Sequence, residues 1–231
     1  MGGTKNGTLR QRKFVPSVEH KLRQRLVIVP EAIYKCSGIK VLGKRIKSLL
    51  FTTDIAIISN SNADAVIAVY PFTPQLSITQ AIISSAPVPV LAGVGGGLTT
   101  GIRSLNVALQ AELMGAYGVV VNAPIENHMI NELSTNLDIP VVATIVSIKD
   151  DYVGKIKAGA RILNVSGGKD TASIVKEIRS KIGPDFPIIA TGGPTEKSIE
   201  QTIEAGANAI TYTPPSSAEI FANVMEDYRK K

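Results

Sequence analysis

The residues of this chain best suited to hold an anion are two glycines that end one apolar run and two serines that follow the next. Both lie in PIIATGGPTEKSIEQTIEAGANAITYTPPSS, Pro187 to Ser217. A Gly pair at the end of a strand lets backbone approach a ligand closely, and a helix start presents free N–H groups to negative charge. Gly192, Gly193, Ser216 and Ser217 are therefore the expected phosphate contacts. Pro214 and Pro215 remove two amide donors from the same turn, and Ser216-x-x-Glu219 also reads as a capping box.

A second anion-suited segment is GVGGGLTTG, with five glycines in the nine residues Gly93–Gly101. Its density of glycine exceeds what a turn needs and suits nests of backbone N–H groups. Gly95, Gly96 and Gly97 are expected to face a ligand. Arg103 falls in the first turn of the following helix, where the macrodipole disfavours a cation unless an anion is near. The spacing is not that of a dinucleotide fingerprint, and no acidic residue follows at the required distance.

The catalytic candidates are Asp54, directly after an apolar run, and Glu126 in NAPIENHM, both for proton transfer, with Asn122 expected to face the reacting atoms. Asn164 and Thr191 are polar positions that break apolar runs near their ends and are expected to touch ligand. The residues that are missing narrow the chemistry. There is one cysteine, Cys36, and the only histidines are His20 and His128, so no Cys- or His-rich metal site can be assembled. No GxSxG elbow is present, and no lysine lies within the fifth or sixth apolar run. No cofactor is evident. A carboxylate-only Mg2+ site using Asp54 or Glu126 with a substrate phosphate stays open.

The elements that must position these groups follow from periodicity. Eight short apolar, β-branched runs, at 48–53, 65–70, 89–94, 118–123, 140–146, 161–166, 187–192 and 209–213, alternate with helix-period stretches. Continuous apolar runs suit parallel strands buried on both faces. A two-unit repeat supports the count: Pro89-Val-Leu-Ala-Gly93, Pro140-Val-Val-Ala-Thr144 and Pro187-Ile-Ile-Ala-Thr191 share a frame, with Ser48-Leu-Leu-Phe-Thr52 as a weaker copy. Gly115, Gly159 and Gly206, with Asn62 as the weaker copy, precede the even strands and suit the left-handed residue that ends a helix. The repeat aligns Thr52 with Gly93, Thr144 and Thr191, and so expects Asp54 on the face of Thr52. The fold class is α/β, a single (β/α)8 TIM barrel over residues 41–231 with a basic N-terminal extension over 1–40.

The net charge of +6 is unevenly spread. Residues 1–47 hold 12 Lys/Arg against Glu19 and Glu31, a balance of +10; the other 184 hold 13 Lys/Arg against 17 Asp/Glu, a balance of −4. A mildly acidic body argues against nucleic acid as its partner. No apolar run reaches about 18 residues, so no membrane span is expected, and the polar N-terminus lacks a signal-peptide core. The expectation is a cytoplasmic protein, with a homo-oligomer compatible with the sequence.

The frame P-I-I-A-x-G-G … S-I … A-G-A-x-A-I resembles the ribulose-phosphate-binding barrels: thiamine phosphate synthase, the tryptophan-pathway barrels, and aldolases of phosphorylated keto acids. That resemblance implies a small phosphorylated molecule on Gly192, Gly193 and the start of the last helix. Over residues 40 to the C-terminus, KRIKSLLFTTDIAII, ADAVIAVYPFTPQ, GVGGGLTTG, VVVNAP, NVSGG and ATGGPTE…AITYTPPS resemble bacterial barrel proteins labelled only as hydrolases. The expected function is thus a hydrolase of a phosphorylated metabolite, with a lyase, an isomerase or a non-catalytic phosphometabolite sensor as alternatives.

Overall fold

Every apolar run read from the sequence forms a strand, and the eight strands close on themselves. In the computed structural model, which describes residues 27–230 together with Phe14, Pro16 and Val18, the barrel strands are β3 (Ser48–Phe51), β4 (Ala65–Ala68), β5 (Val90–Gly95), β6 (Gly118–Val121), β7 (Val141–Ile145), β8 (Ile162–Val165), β9 (Ile188–Thr191) and β10 (Ala209–Tyr212). They pair in parallel in chain order, and β10 closes on β3. Between and after them run α1 (Ile55–Ser59), α2 (Leu76–Ser85), α3 (Ile102–Leu113), α4 (Asn127–Asn136), α5 (Tyr152–Lys157), α6 (Thr171–Ile182), α7 (Glu196–Glu204) and α8 (Ser217–Arg229). The expected (β/α)8 barrel is thus the fold. Gly115, Gly159 and Gly206 all take positive φ after α3, α5 and α7, because a left-handed residue ends each helix without a Cβ clash. Asn62 does not; its side chain instead accepts from the Val29 amide at 2.8 Å.

The apolar residues sort into two buried layers. Leu50, Val66, Ala92, Val119, Val141, Leu163, Ile188 and Ile210 face outward beneath the helices. Leu49, Ile67, Leu91, Val120, Val142, Ile162, Ile189 and Ala209 share a separate cluster, which is the lumen. Alternation along a strand makes this division sharp. Leu49 is the partner of Leu91 in the lumen and Leu50 is not, so the weak repeat copy is one residue out of register. A one-residue slip reverses every face: Phe51, not Thr52, shares the inward parity of Gly93, Thr144 and Thr191.

Two features precede the barrel that periodicity does not reveal. A hairpin of β1 (Ile39–Val41) and β2 (Lys44–Ile46) turns through Leu42 and Gly43, both at positive φ, as a two-residue hairpin loop prefers. Its Ile39, Val41 and Ile46 join the lumen cluster and close the N-terminal end of the barrel. Before it, residues 27–36, including a 3-10 turn at Glu31–Lys35, bury Val29, Ala32 and Ile33 against the outward core, and Cys36 is buried as well. This stretch runs from Asn60, whose carbonyl accepts from Val27 N, to α7, where Lys35 pairs with Glu200. Residues 27–40, grouped with the extension in the sequence reading, are therefore packed on the barrel; the rest of that extension, apart from Phe14, Pro16 and Val18, lies outside the described residues.

This segment takes the place between α7 and α1 that the last helix of such a barrel would cover. The consequence is visible in α8, which buries no side chain, whereas every other barrel helix buries at least two. Only Ile220 of α8 packs against the core.

Candidate functional site

Two residues beyond each lumen position, at the C-terminal ends of the strands, the inward residues are Phe51, Val69, Gly93, Asn122, Thr144, Asn164, Thr191 and Thr211. Their chemistry divides the mouth into two arcs. From β3 to β5 it is apolar or empty of side chain; from β6 to β10 every position carries an amide or a hydroxyl. None of the eight is charged. On the polar arc Asn164 Nδ2 donates to Thr144 Oγ1 at 3.4 Å, and Thr191 Oγ1 donates to Ser166 Oγ at 3.3 Å. Asn164 Oδ1 and Thr211 Oγ1 are buried without a hydrogen-bond partner.

Over the apolar arc lies a cavity of about 150 Å³, walled by Tyr70–Pro74, the glycine loop and Asn122. The loop owes much of its glycine content to packing. Gly95 and Gly96 have φ of 118° and 108°. A Cβ on Gly95 would come within 2.4 Å of the Thr99 carbonyl oxygen, and one on Gly96 within 2.6 Å of Asn122 N. The chain folds back there through Gly96 N to Thr99 O at 2.8 Å and Asn122 N to Gly95 O at 2.9 Å. Gly97 has no such constraint: a Cβ there would meet nothing within 4 Å. Leu98 beside it is fully exposed at the tip of the loop. α3 begins at Gly101 without a side-chain cap, and Arg103 is exposed in its first turn.

The rim of β9 and β10 differs from the open anion cradle expected there. Gly192 N donates to Thr211 O at 3.3 Å, and a Cβ on Gly192 would run into Ile210 and Ile199. Gly193 is exposed at φ 79°. The Ser216 hydroxyl donates to the Glu219 carboxylate, as the Ser216 amide also does at 2.7 Å. The Ser217 hydroxyl donates to Asp54 Oδ2. Two of the protein's own carboxylates thus occupy the N-terminus of α8, where they oppose a further negative charge. Among the four expected phosphate contacts, only the backbone amides of Gly193 and Ser217 remain uncommitted.

Asp54 is explained by the same contacts. Its Oδ1 caps α1, accepting from Ala56 N at 2.9 Å and Ile57 N at 3.2 Å. The Ser217 hydroxyl, and then these amides, hold its carboxyl below the usual carboxylate range, since hydrogen bonds to the charged form favour it. Such a group is a poor proton donor near neutrality. Glu126 precedes α4 without capping it and meets His128 Nδ1 at 3.0 Å on the surface. Of the three catalytic candidates, Asn122 alone lines the cavity.

Sequence reasoning missed Lys155. Its side chain is buried and donates to the carbonyls of Ala123 at 3.2 Å and Ile125 at 2.8 Å. Burial pulls its pKa below the usual lysine range, with Asp150 and Asp151 acting the other way. The ammonium fixes the segment that follows Asn122. A lysine inside a predicted helix carries no sign of burial, so no signal in the sequence marked it.

Among the described residues no three His, Cys, Asp or Glu side chains converge on a metal position, and both Asp54 oxygens already accept hydrogen bonds. No helix among the described residues is long and apolar enough to cross a membrane.

No protein-family model and no curated protein matches this chain. Solved structures do. Phosphonopyruvate hydrolase, in complex with oxalate and Mg2+, superposes with a TM-score of 0.60 at 12% identity, covering 80% of this chain and 82% of that one. 2,3-Dimethylmalate lyase, a member of the PEP mutase/isocitrate lyase superfamily, gives 0.60 at 14% identity, covering 87% and 84%. The 4-hydroxy-tetrahydrodipicolinate synthase of Methylacidiphilum fumariolicum SolV gives 0.58 at 11%, covering 74% and 68%. The likeness is one of fold. This chain is a (β/α)8 barrel whose neighbours carry out different chemistries, as barrels commonly do.

Proposed function

We propose that the chain is an enzyme acting on a small phosphorylated or carboxylated metabolite bound in the C-terminal mouth of the barrel. The observation that carries this reading is the cavity between the glycine loop and Asn122, beside an arc of amides and hydroxyls. The anionic group lies against the loop around Gly97 and the uncapped start of α3, with Arg103 adding positive charge. Asn122 meets the reacting atoms as a neutral hydrogen-bond partner, the kind of group that stabilises charge developing on a substrate oxygen. Gly193 offers one further amide across the mouth.

The resemblance to ribulose-phosphate-binding barrels and to barrels labelled as hydrolases supports a phosphorylated substrate. The superposition on phosphonopyruvate hydrolase and 2,3-dimethylmalate lyase supports a small acid. A divalent cation, if one takes part, comes with the substrate. A second reading, a non-catalytic binding protein, is favoured by one feature: no inward residue of the mouth titrates near neutrality.

The test is a thermal-shift series with oxalate, phosphoenolpyruvate and glycerol 3-phosphate, followed by NMR of each stabilising compound for turnover. At least one should raise the melting temperature, and Asn122→Leu should abolish the rise while Asp54→Asn retains it. Stabilisation without turnover selects the binding protein. No stabilisation by any of the three sinks the proposal.

A further inference from the structure

Most buried polar atoms in a folded protein have a hydrogen-bond partner, and those that lack one call for an explanation. Two of the three such atoms among the described residues, Asn164 Oδ1 and Thr211 Oγ1, belong to inward residues of the polar arc. The third, the Tyr152 hydroxyl, lies in α5 near the Lys181 ammonium and away from the lumen. Asn164 and Thr211 are 8% and 7% exposed. Turning the Asn164 amide over does not remove the problem. It would give Thr144 the carbonyl oxygen and leave the NH2 group without a partner instead.

The groups around them are of one kind. Thr144 pairs across the sheet with Asn164, Thr191 with Thr211, and Ser166 reaches Thr191. All are neutral, and each hydroxyl can either donate or accept. Thr144, Asn164 and Thr211 are buried, and a charged ligand group would be costly among neutral buried groups. A hydroxyl or carbonyl would instead complete the pairing that the protein leaves open.

Resting on the function proposed above, we infer that Asn164 and Thr211, with Thr144, Ser166 and Thr191 around them, are the seat of an uncharged hydroxyl- or carbonyl-bearing part of the substrate, across the mouth from the anion at the glycine loop. The substrate is then two-ended, one end anionic and the other a neutral oxygen-bearing carbon. Specificity between anionic metabolites is set at the neutral end, because a site built to hydrogen-bond a hydroxyl discriminates strongly against an analogue that lacks it.

The test compares glycerol 3-phosphate with inorganic phosphate on the parent protein, Thr211→Val, Thr211→Ser and Asn164→Leu. Thr211→Val removes one hydroxyl at nearly constant volume. A buried group without a partner gains little from the fold, so its unliganded melting temperature should stay level or rise by about 2–4 °C. Glycerol 3-phosphate should bind at least about tenfold more weakly to Thr211→Val and Asn164→Leu and normally to Thr211→Ser, a loss of at least about 1.4 kcal/mol. Inorganic phosphate should bind all four alike.

Equal binding of glycerol 3-phosphate to parent and Thr211→Val overturns the assignment. So does a melting temperature several degrees lower for Thr211→Val alone, which would mark the hydroxyl as part of the fold; Asn164→Leu is judged only where it folds. Equal loss of both probes overturns the separation of the two seats. A parent that binds oxalate or phosphoenolpyruvate but neither probe overturns this inference and leaves the proposed function standing; a parent that binds none of the four overturns the proposed function itself.

Discussion

The Ser217 hydroxyl donates to the Asp54 carboxylate, tying the first turn of α8 to the first turn of α1 across the closure of the barrel. Because residues 27–36 cover the outer face there, this bond and the contact of Ile220 are among the few anchors α8 has. Asp54→Ala removes the cap of α1 and this tie together, and should lower stability by about 1–2 kcal/mol, a fall of about 2–8 °C in melting temperature. Asp54→Asn still caps and should stay near the parent. An Asp54→Asn variant that folds normally but loses turnover would return Asp54 to the chemistry.

The two carboxylates at the start of α8 predict an acid-sensitive helix. Ser217 lowers the pKa of Asp54, and the Ser216 amide and then its hydroxyl lower that of Glu219. Folded values lie below the unfolded values of about 3.9 and 4.3. Their stabilisation is therefore complete above about pH 5 and is lost as pH falls through the depressed folded values. NMR of α8 amides from pH 6 to pH 2.5 should show this helix loosening before the barrel strands. Simultaneous loss would contradict it.

The glycines of the β5–α3 loop should separate into two kinds. Gly95→Ala and Gly96→Ala force a side chain into positive φ and against backbone atoms, and each should destabilise by at least about 1–3 kcal/mol. Gly97→Ala meets nothing and should melt with the parent. Any loss of ligand binding in Gly97→Ala then reports on the loop's function and not on its fold.

The N-terminal segment and α8 should have reversed importance for stability. Ile33 is wholly buried beside the barrel, and Ile33→Ala should cost about 2–5 kcal/mol. Phe221, in α8, is 66% exposed, and Phe221→Ser should change stability by no more than about 0.5 kcal/mol. Urea denaturation of the two variants checks both figures. A large loss in Phe221→Ser would show that α8 is packed after all.

Lys155→Met removes an ammonium that satisfies two backbone carbonyls, and the methionine cannot donate to either. Stability should fall by about 1–3 kcal/mol, and the loop carrying Asn122 should lose protection from hydrogen exchange more than β6 itself. Uniform loss of protection would assign Lys155 to general packing.

The eight strands and the ends of three helices were legible in the sequence because their signals are local. β-branched runs buried on both faces, and glycines at Gly115, Gly159 and Gly206, depend on a few neighbouring residues. Inward parity was legible only where the repeat was strong. The Ser48–Thr52 copy slipped by one residue, and with it Thr52 and Asp54 moved off the lumen and Phe51 moved onto it. Asn122, Asn164 and Thr191 were found as polar breaks in apolar runs.

What the sequence by itself determined is the closed barrel and the neutral character of the polar arc at the C-terminal ends of its strands. The tertiary structure decided which donors remain available. Gly192, Ser216 and Ser217 are the right residue types for an anion, yet Thr211 O, Glu219 and Asp54 already accept from the Gly192 amide and the two serine hydroxyls. Those partners stand as many as 163 positions away in the chain. A donor's type is written at one position, but its availability depends on every group that folding brings within hydrogen-bond reach of it.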